Sequence, residues 1–237
     1  MTNSIDFIYS NFWAGRLSGF ILAFVSISLA IQAEVKNPDA ERFAGTFAQF
    51  ARSDQNAFPD TNDLTLFTGS SSIRLWKSLK DDFPEINLAN RGFGGAHISD
   101  VIHFYDRLFP LYKPNRIVMY CGENDLWSGK PVDQVFSDFT TLWNRIQKDL
   151  PQTTFLYLSC KPSPSRISKW SLYESLNLKI KNSAVKDDKM TYVNISPALL
   201  KPDLTFYPGL WQKDNLHMNQ LGYDKWTNLL RPILGLK

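Results

Sequence analysis

The sequence predicts an α/β fold in which a parallel sheet carries helices on both faces. Three observations predict it. Five short runs are apolar nearly throughout: LTLFTG (64–69), INLANRG (86–92), RIVMYCG (116–122), TTFLYLS (153–159) and MTYVNIS (190–196). Helical patterns lie between and after them, near 72–80, 97–109, 132–149, 168–185 and 219–233. Strands apolar on both faces and separated by helices belong to a buried parallel sheet, and right-handed crossovers put the helices on both sides. The third observation is where the polar and glycine-rich blocks fall. SSSI, FGGAH, ENDLW and CKPSPSR each follow one of the first four runs, at the strand ends where such sheets bind ligands.

Taken in order, residues 1–33 stand apart. Asp6 and Arg16 are the only charges before Glu34, and RLSGFILAFVSISLAIQA runs uncharged after Arg16 to small residues. This reads as a secretory signal peptide cleaved after Ala30 or Ala33, or as an uncleaved membrane anchor, although the apolar run is short of the ~20 residues usual for a span. A secreted or periplasmic location follows as the expectation. In 34–63, Phe43, Phe47 and Phe50 are spaced i, i+4, i+7, the stripe of an amphipathic helix that docks on a core. NAFPDTND then breaks the helix. The remainder, 64–237, reads as one domain without repeats or low-complexity segments.

Composition excludes several functions. The net charge is only +3 and the basic residues are scattered, unlike the concentrated basic face of a nucleic-acid binder. No phosphate-cradling glycine loop opens a helix. Cys121 and Cys160 each end an apolar run and read as buried free thiols, with neither a disulfide framework nor metal-ligand spacing.

The serine cluster Ser70, Ser71 and Ser72 contains either a nucleophile or only a helix start, since hydroxyls cap helices. A nucleophilic serine needs a base, most often histidine, and the chain has three. His103 lies inside a helical pattern and reads as structural or solvent-facing. His97 follows the second run and stays a candidate. His217 follows Asp214 by three residues, a spacing that sets the carboxylate beside the imidazole; a capping aspartate with a surface histidine is the alternative. Acyl transfer also needs donors for an oxyanion. The Gly95 N–H in GFGGAH and the Asn124 amide in CGENDLW could supply them, or could serve a tight turn and an Asx turn.

Together the four blocks TGSSSI, NRGFGGAH, YCGEND and DNLHMNQLGY resemble those of the SGNH hydrolases, also called GDSL esterases and lipases. The chain is particularly similar to the branch of the platelet-activating-factor acetylhydrolase catalytic subunits and of bacterial proteins carrying GSSSIRLW. The resemblance covers about 64–237. It implies a flavodoxin-like three-layer α/β/α sandwich with a five-stranded parallel sheet. It also implies a serine esterase without metal or organic cofactor. Ser71, two residues after Gly69, corresponds to the nucleophile, with His217 as base and Asp214 orienting it. The N–H groups of Ser71 and Gly95 and the Asn124 side chain form the oxyanion hole. Ser70 stands where the family usually keeps an aspartate, and Ser72 is a capping or first-turn residue.

The implied substrate is a small-molecule, carbohydrate or lipid carboxylic ester. The lack of a lid-like segment favours short, acetyl-type acyl groups. Arg74, Lys161 and Arg166 could favour an anionic substrate, and Phe93, Trp127, Tyr207 and Trp211 could form an aromatic rim. The alternatives are an exported, non-catalytic carbohydrate- or lipid-binding member of the fold, and an acyltransferase using the same acyl-enzyme. The acetylhydrolase branch adds a homodimer as an option.

Overall fold

The computed structural model describes residues 35–237. Five parallel strands form its sheet: β1 (Thr65–Gly69), β2 (Leu88–Gly92), β3 (Arg116–Tyr120), β4 (Thr154–Leu158) and β5 (Met190–Val193), in the order β2-β1-β3-β4-β5. Side chains alternate along each strand, so each strand feeds two cores. Leu66, Ile117, Met119, Phe155 and Tyr157 point into one apolar layer. Phe67, Val118, Tyr120, Leu156 and Leu158 point into the other. This is the flavodoxin-like three-layer sandwich.

The first layer is covered by α1 (Ala44–Asn56), α4 (Ile98–His103), α5 (Phe109–Tyr112), α7 (Val132–Asp149) and α8 (Trp170–Ala184). The second is covered by α2 (Ser71–Arg74), α3 (Leu79–Asp82) and α9 (Gln220–Ile233), while α6 (Glu123–Trp127) follows β3. The aromatic stripe before the first strand docks as expected. Phe43 and Phe47 are buried, Phe50 packs against the same cluster, and the Phe47 ring stacks on Phe104 at 3.9 Å between centroids.

Two helical patterns are broken where the sequence suggested continuity. Residues 72–80 divide into α2 and α3 because the indole of Trp76 and the hydroxyl of Ser78 both donate to Asp82 Oδ2, at 2.6 and 2.8 Å, and fold the chain back between them. Residues 97–109 end at His103, and a new helix begins at Phe109 with Pro110 in its first turn, where a missing N–H costs nothing.

Two features fix the centre of the sheet edge. In the order β2-β1-β3 the connection out of β1 goes to one side of it and the connection out of β2 crosses to the other, so the crevice beyond β1 and β3 lies at the switch point. Gly69, the last residue of β1, has φ +109°, and a Cβ there would sit 2.1 Å from the Tyr120 carbonyl oxygen. Glycine therefore allows β1 to finish hard against β3, with the Ser70 N–H donating to that same oxygen at 2.8 Å. No helix among the described residues is long and apolar enough to cross a membrane; the expected leader, 1–33, lies outside the described residues.

Candidate active site

The turn out of β1 delivers the serine cluster to the sheet edge. Ser70 occupies the cap position of α2 but its side chain makes no capping bond. Its carbonyl accepts from the N–H groups of Ile73 and Arg74. Ser72 lies in the first turn and is buried, so the cap position falls to Ser70, not to Ser72. Ser71 begins α2 and alone of the three reaches the cavity beyond the sheet. Its helix is braced from two sides. Asn90 in the middle of β2 donates to the Ile73 carbonyl at 2.7 Å, and Tyr223 of α9 donates to the Ser72 carbonyl at 2.9 Å.

Across the cavity, the loop before α9 presents His217. Its Nε2 lies 2.9 Å from Ser71 Oγ, and its Nδ1 lies 2.6 Å from Asp214 Oδ2. Asp214 Oδ1 accepts from the N–H groups of Leu216 and His217, each at 3.0 Å, so one carboxylate both turns the loop and holds the ring. Partial burial pushes the Asp214 carboxyl up, but the bonds from the His217 N–H, the His217 ring and the Leu216 N–H outweigh it and bring it down to about 2. An ionised carboxylate can only accept, so Nδ1 carries the ring proton and Nε2 is left to accept the Ser71 hydroxyl proton.

Gly95 and Asn124 line the same cavity of about 610 Å³ as Ser71 and His217. Gly95 has φ +82° with open space where a Cβ would stand, and neither its N–H nor that of Ser71 meets a protein acceptor among the described residues. The orientation of the Asn124 amide follows from its neighbours. Nδ2 donates to the Ala96 carbonyl at 3.1 Å, and Oδ1 accepts from Arg166 Nη1 at 3.0 Å. A carbonyl can only accept and a guanidinium only donate, so the amide has one allowed orientation, with one Nδ2 hydrogen left over. The structure thus brings Ser71, Gly95, Asn124, Asp214 and His217 to one place. The arrangement can move a proton from serine to imidazole and offer neutral donors to a nascent oxyanion.

The other two histidines are elsewhere. His97 caps α4 with Asp100, beside buried Asp125, and burial lowers its ring to about 4. His103 is exposed and bonded to Glu41 at 2.8 Å. The aromatic rim is corrected in most of its members. Phe93 is core, Trp211 packs at the edge of the second core, and Tyr207 lines a separate cavity of about 860 Å³ beside β5 and α8. Trp127 is exposed, with Arg166 5.0 Å from its ring centroid.

Lys161 is also corrected: only 1% of its side chain is exposed, and it pairs with Glu123 at 2.9 Å. Glu123, 3% exposed, further accepts from Arg166 Nη1 at 3.0 Å and from the Tyr120 hydroxyl. Burial pushes this carboxyl up, but Lys161, Arg166 and Tyr120 more than offset it and hold it below the usual carboxylate range. This cluster anchors the guanidinium that orients Asn124. The sequence marked CKPSPSR only as a block at the sheet edge; nothing in its spacing shows that Arg166 meets Glu123.

A family model described as GDSL-like lipase/acylhydrolase matches residues 64–225. The chain belongs to this family. It is accordingly a hydrolase of the carboxylic-ester class. No functionally curated protein matches the sequence. Among solved structures, a Streptococcus pneumonia protein provisionally named as a platelet activating factor is 18% identical, with a TM-score of 0.70 over 81% of this chain and 93% of that one. A GDSL-like lipase from Bacteroides thetaiotaomicron is 20% identical, with a TM-score of 0.65 over 83% of this chain and 97% of that one. A catalytic mutant of an acetylxylan esterase from Geobacillus stearothermophilus is 14% identical, with a TM-score of 0.61 over 74% of this chain and 95% of that one. These likenesses are of fold. Ser70, where the resemblance implies an aspartate, is buried and leaves its hydroxyl out of the helix cap.

Proposed function

We propose that the protein is a serine esterase that cleaves short-chain, acetyl-type carboxylic esters through an acyl-enzyme on Ser71. The observation that carries this reading is the hydrogen-bonded chain from Ser71 Oγ through His217 to Asp214, with gaps of 2.9 and 2.6 Å. Ser71 Oγ attacks the ester carbonyl carbon as its proton passes to His217 Nε2. The Oγ–C bond forms and the carbonyl electron pair moves to oxygen. The Ser71 and Gly95 N–H groups and the spare Asn124 amide hydrogen stabilise that charge. As the C–O bond to the alcohol breaks, Nε2 returns the proton to the leaving oxygen. Water, giving a proton to His217 Nε2, then attacks the acyl carbon; the Oγ–C bond breaks, Nε2 returns the proton to Ser71 Oγ, and the acid is released. Asp214 stays ionised and holds the imidazolium. The open cavity and the acetyl-ester name of one structural neighbour support the short-acyl preference, and the charge-poor 1–33 segment supports a secreted, periplasmic or membrane-anchored enzyme.

The test is a series of p-nitrophenyl esters from acetate to palmitate with Ser71→Ala and Ser70→Ala. Turnover should be fastest at the short end. Ser71→Ala should leave only the ~10³–10⁴-fold acceleration over water that survives loss of a triad member. Loss with Ser70→Ala and retention with Ser71→Ala would reassign the nucleophile.

A further inference from the structure

We propose that the site selects esters whose alcohol part carries an anionic oxyacid group, a carboxylate or a phosphate, and that Arg74 and Lys77 receive that charge. The proposal rests on the reading of Ser71 as the nucleophile and specifies its substrate. Among the described residues, every charged one lining the cavity is a cation: Arg74, Lys77 and Arg166. Arg166 is already committed to Glu123 and Asn124. The site's carboxylates are committed too, Glu123 to Lys161, Arg166 and Tyr120, and Asp214 to His217. Among the described residues the Arg74 and Lys77 side chains have no such partner, so two positive charges face the cavity uncompensated.

Arg74 is also seated. It follows Ser71 by three residues on α2, which puts both side chains on one helix face. Its guanidinium lies in a notch that exists because residue 94 is glycine: a Cβ there would meet Arg74 Nε at 2.5 Å and Nη2 at 3.0 Å. Arg74 is exposed to solvent, and the missing side chain at Gly94 leaves its guanidinium room against the loop after β2. The result is a planar fork of donors on the cavity wall that also carries the nucleophile, matched to the two oxygens of a carboxylate or phosphate. Lys77, three residues on and beyond the end of α2, adds a second charge to the lining of the same cavity.

Three acetate esters of similar shape test this: phenyl acetate, 4-acetoxybenzoate and 4-acetoxyphenyl phosphate. At low salt, one or both anionic esters should exceed phenyl acetate in kcat/KM by about tenfold, the value of one good charge-assisted contact. The better arm distinguishes carboxylate from phosphate. The advantage should shrink in 0.5 M NaCl as the exposed charges are screened. Arg74→Gln and Gly94→Ala should each lower the anionic-to-neutral ratio several-fold, the second without removing a charge. Benzoate, phenyl phosphate and phenol, titrated calorimetrically into the wild-type and Arg74→Gln proteins, read binding without turnover. Tighter binding of an anion, weakened by Arg74→Gln, supports the proposal even where Ser71→Ala leaves hydrolysis intact, an outcome that overturns only the nucleophile assignment. Anions that bind no better than phenol, or a ratio unmoved by Arg74→Gln, overturn it.

Discussion

Glu123→Gln probes the buried cluster beneath the oxyanion donors. In the native protein the Lys161 ammonium is 1% exposed and its carboxylate partner 3% exposed, so neither charge can be hydrated in place. The substitution keeps the size and one acceptor for the Tyr120 hydroxyl but removes the charge facing Lys161 and Arg166. Breaking a buried pair by neutralising one partner costs about 3–5 kcal/mol; the retained acceptor sets the expectation at the lower end, about 3 kcal/mol. Against a typical total of about 5–15 kcal/mol this is a large fraction, and for a chain of this size it lowers Tm by roughly 6–12 °C. Urea unfolding followed by circular dichroism measures it, with an unchanged slope expected. Glu123→Gln/Lys161→Met, which removes both charges, should recover most of the loss. Because the folded state holds Glu123 below the ordinary carboxylate range, the unfolded chain binds its proton first as pH falls. The wild-type protein should therefore lose this contribution on acidification, and the variant should not. A cost of Glu123→Gln below about 1 kcal/mol would show that Lys161 finds water and would refute the reasoning.

Removing the Asn124 donor with Asn124→Ala should lower kcat by about 10²–10³-fold. Arg166→Met, which frees the amide without removing it, should lower kcat/KM by about tenfold, less than Asn124→Ala; steady-state kinetics on p-nitrophenyl acetate compares them. Gly69→Ala drives a Cβ to within 2.1 Å of the Tyr120 carbonyl at φ +109°, so a loss of at least about 4 kcal/mol, or failure to fold, is expected in chemical denaturation. His97 takes its proton near its ordinary value when unfolded and only at about 4 when folded. The unfolded state therefore binds more protons in between, and stability falls as pH drops across this window. Buried Asp125, raised to about 6, works in the opposite sense in both proteins, so His97→Gln should remove the His97 share of the acid loss, about 3 kcal/mol between urea titrations at pH 7 and pH 4.

The central strands β1, β3 and β4 were legible because they are apolar on both faces, whereas the edge strands β2 and β5 carry partly exposed residues and are placed by their spacing between helices. The long helices α7, α8 and α9 follow their patterns closely. The short ones do not, because α2 and α3 are set by bonds to Asp82 from Trp76 and Ser78 and not by periodicity. At the site, the residues that the resemblance picks out converge in space. What spacing cannot carry is pairing across the fold. Glu123 and Arg166 lie 43 positions apart, Lys161 looks like any surface lysine, and Phe93 looks as able to line a rim as to fill a core. Three-dimensional partners decide each of these. Arg74 gains meaning only from Gly94, twenty residues on, whose missing side chain leaves room for its guanidinium.

Labelling the protein with a fluorophosphonate and locating the adduct by peptide mass spectrometry asks whether Ser71 is a nucleophile activated by His217. A single adduct on Ser71 is expected, abolished in His217→Ala and retained in Ser70→Ala. An adduct on Ser70, or none in the folded wild-type protein, contradicts that assignment.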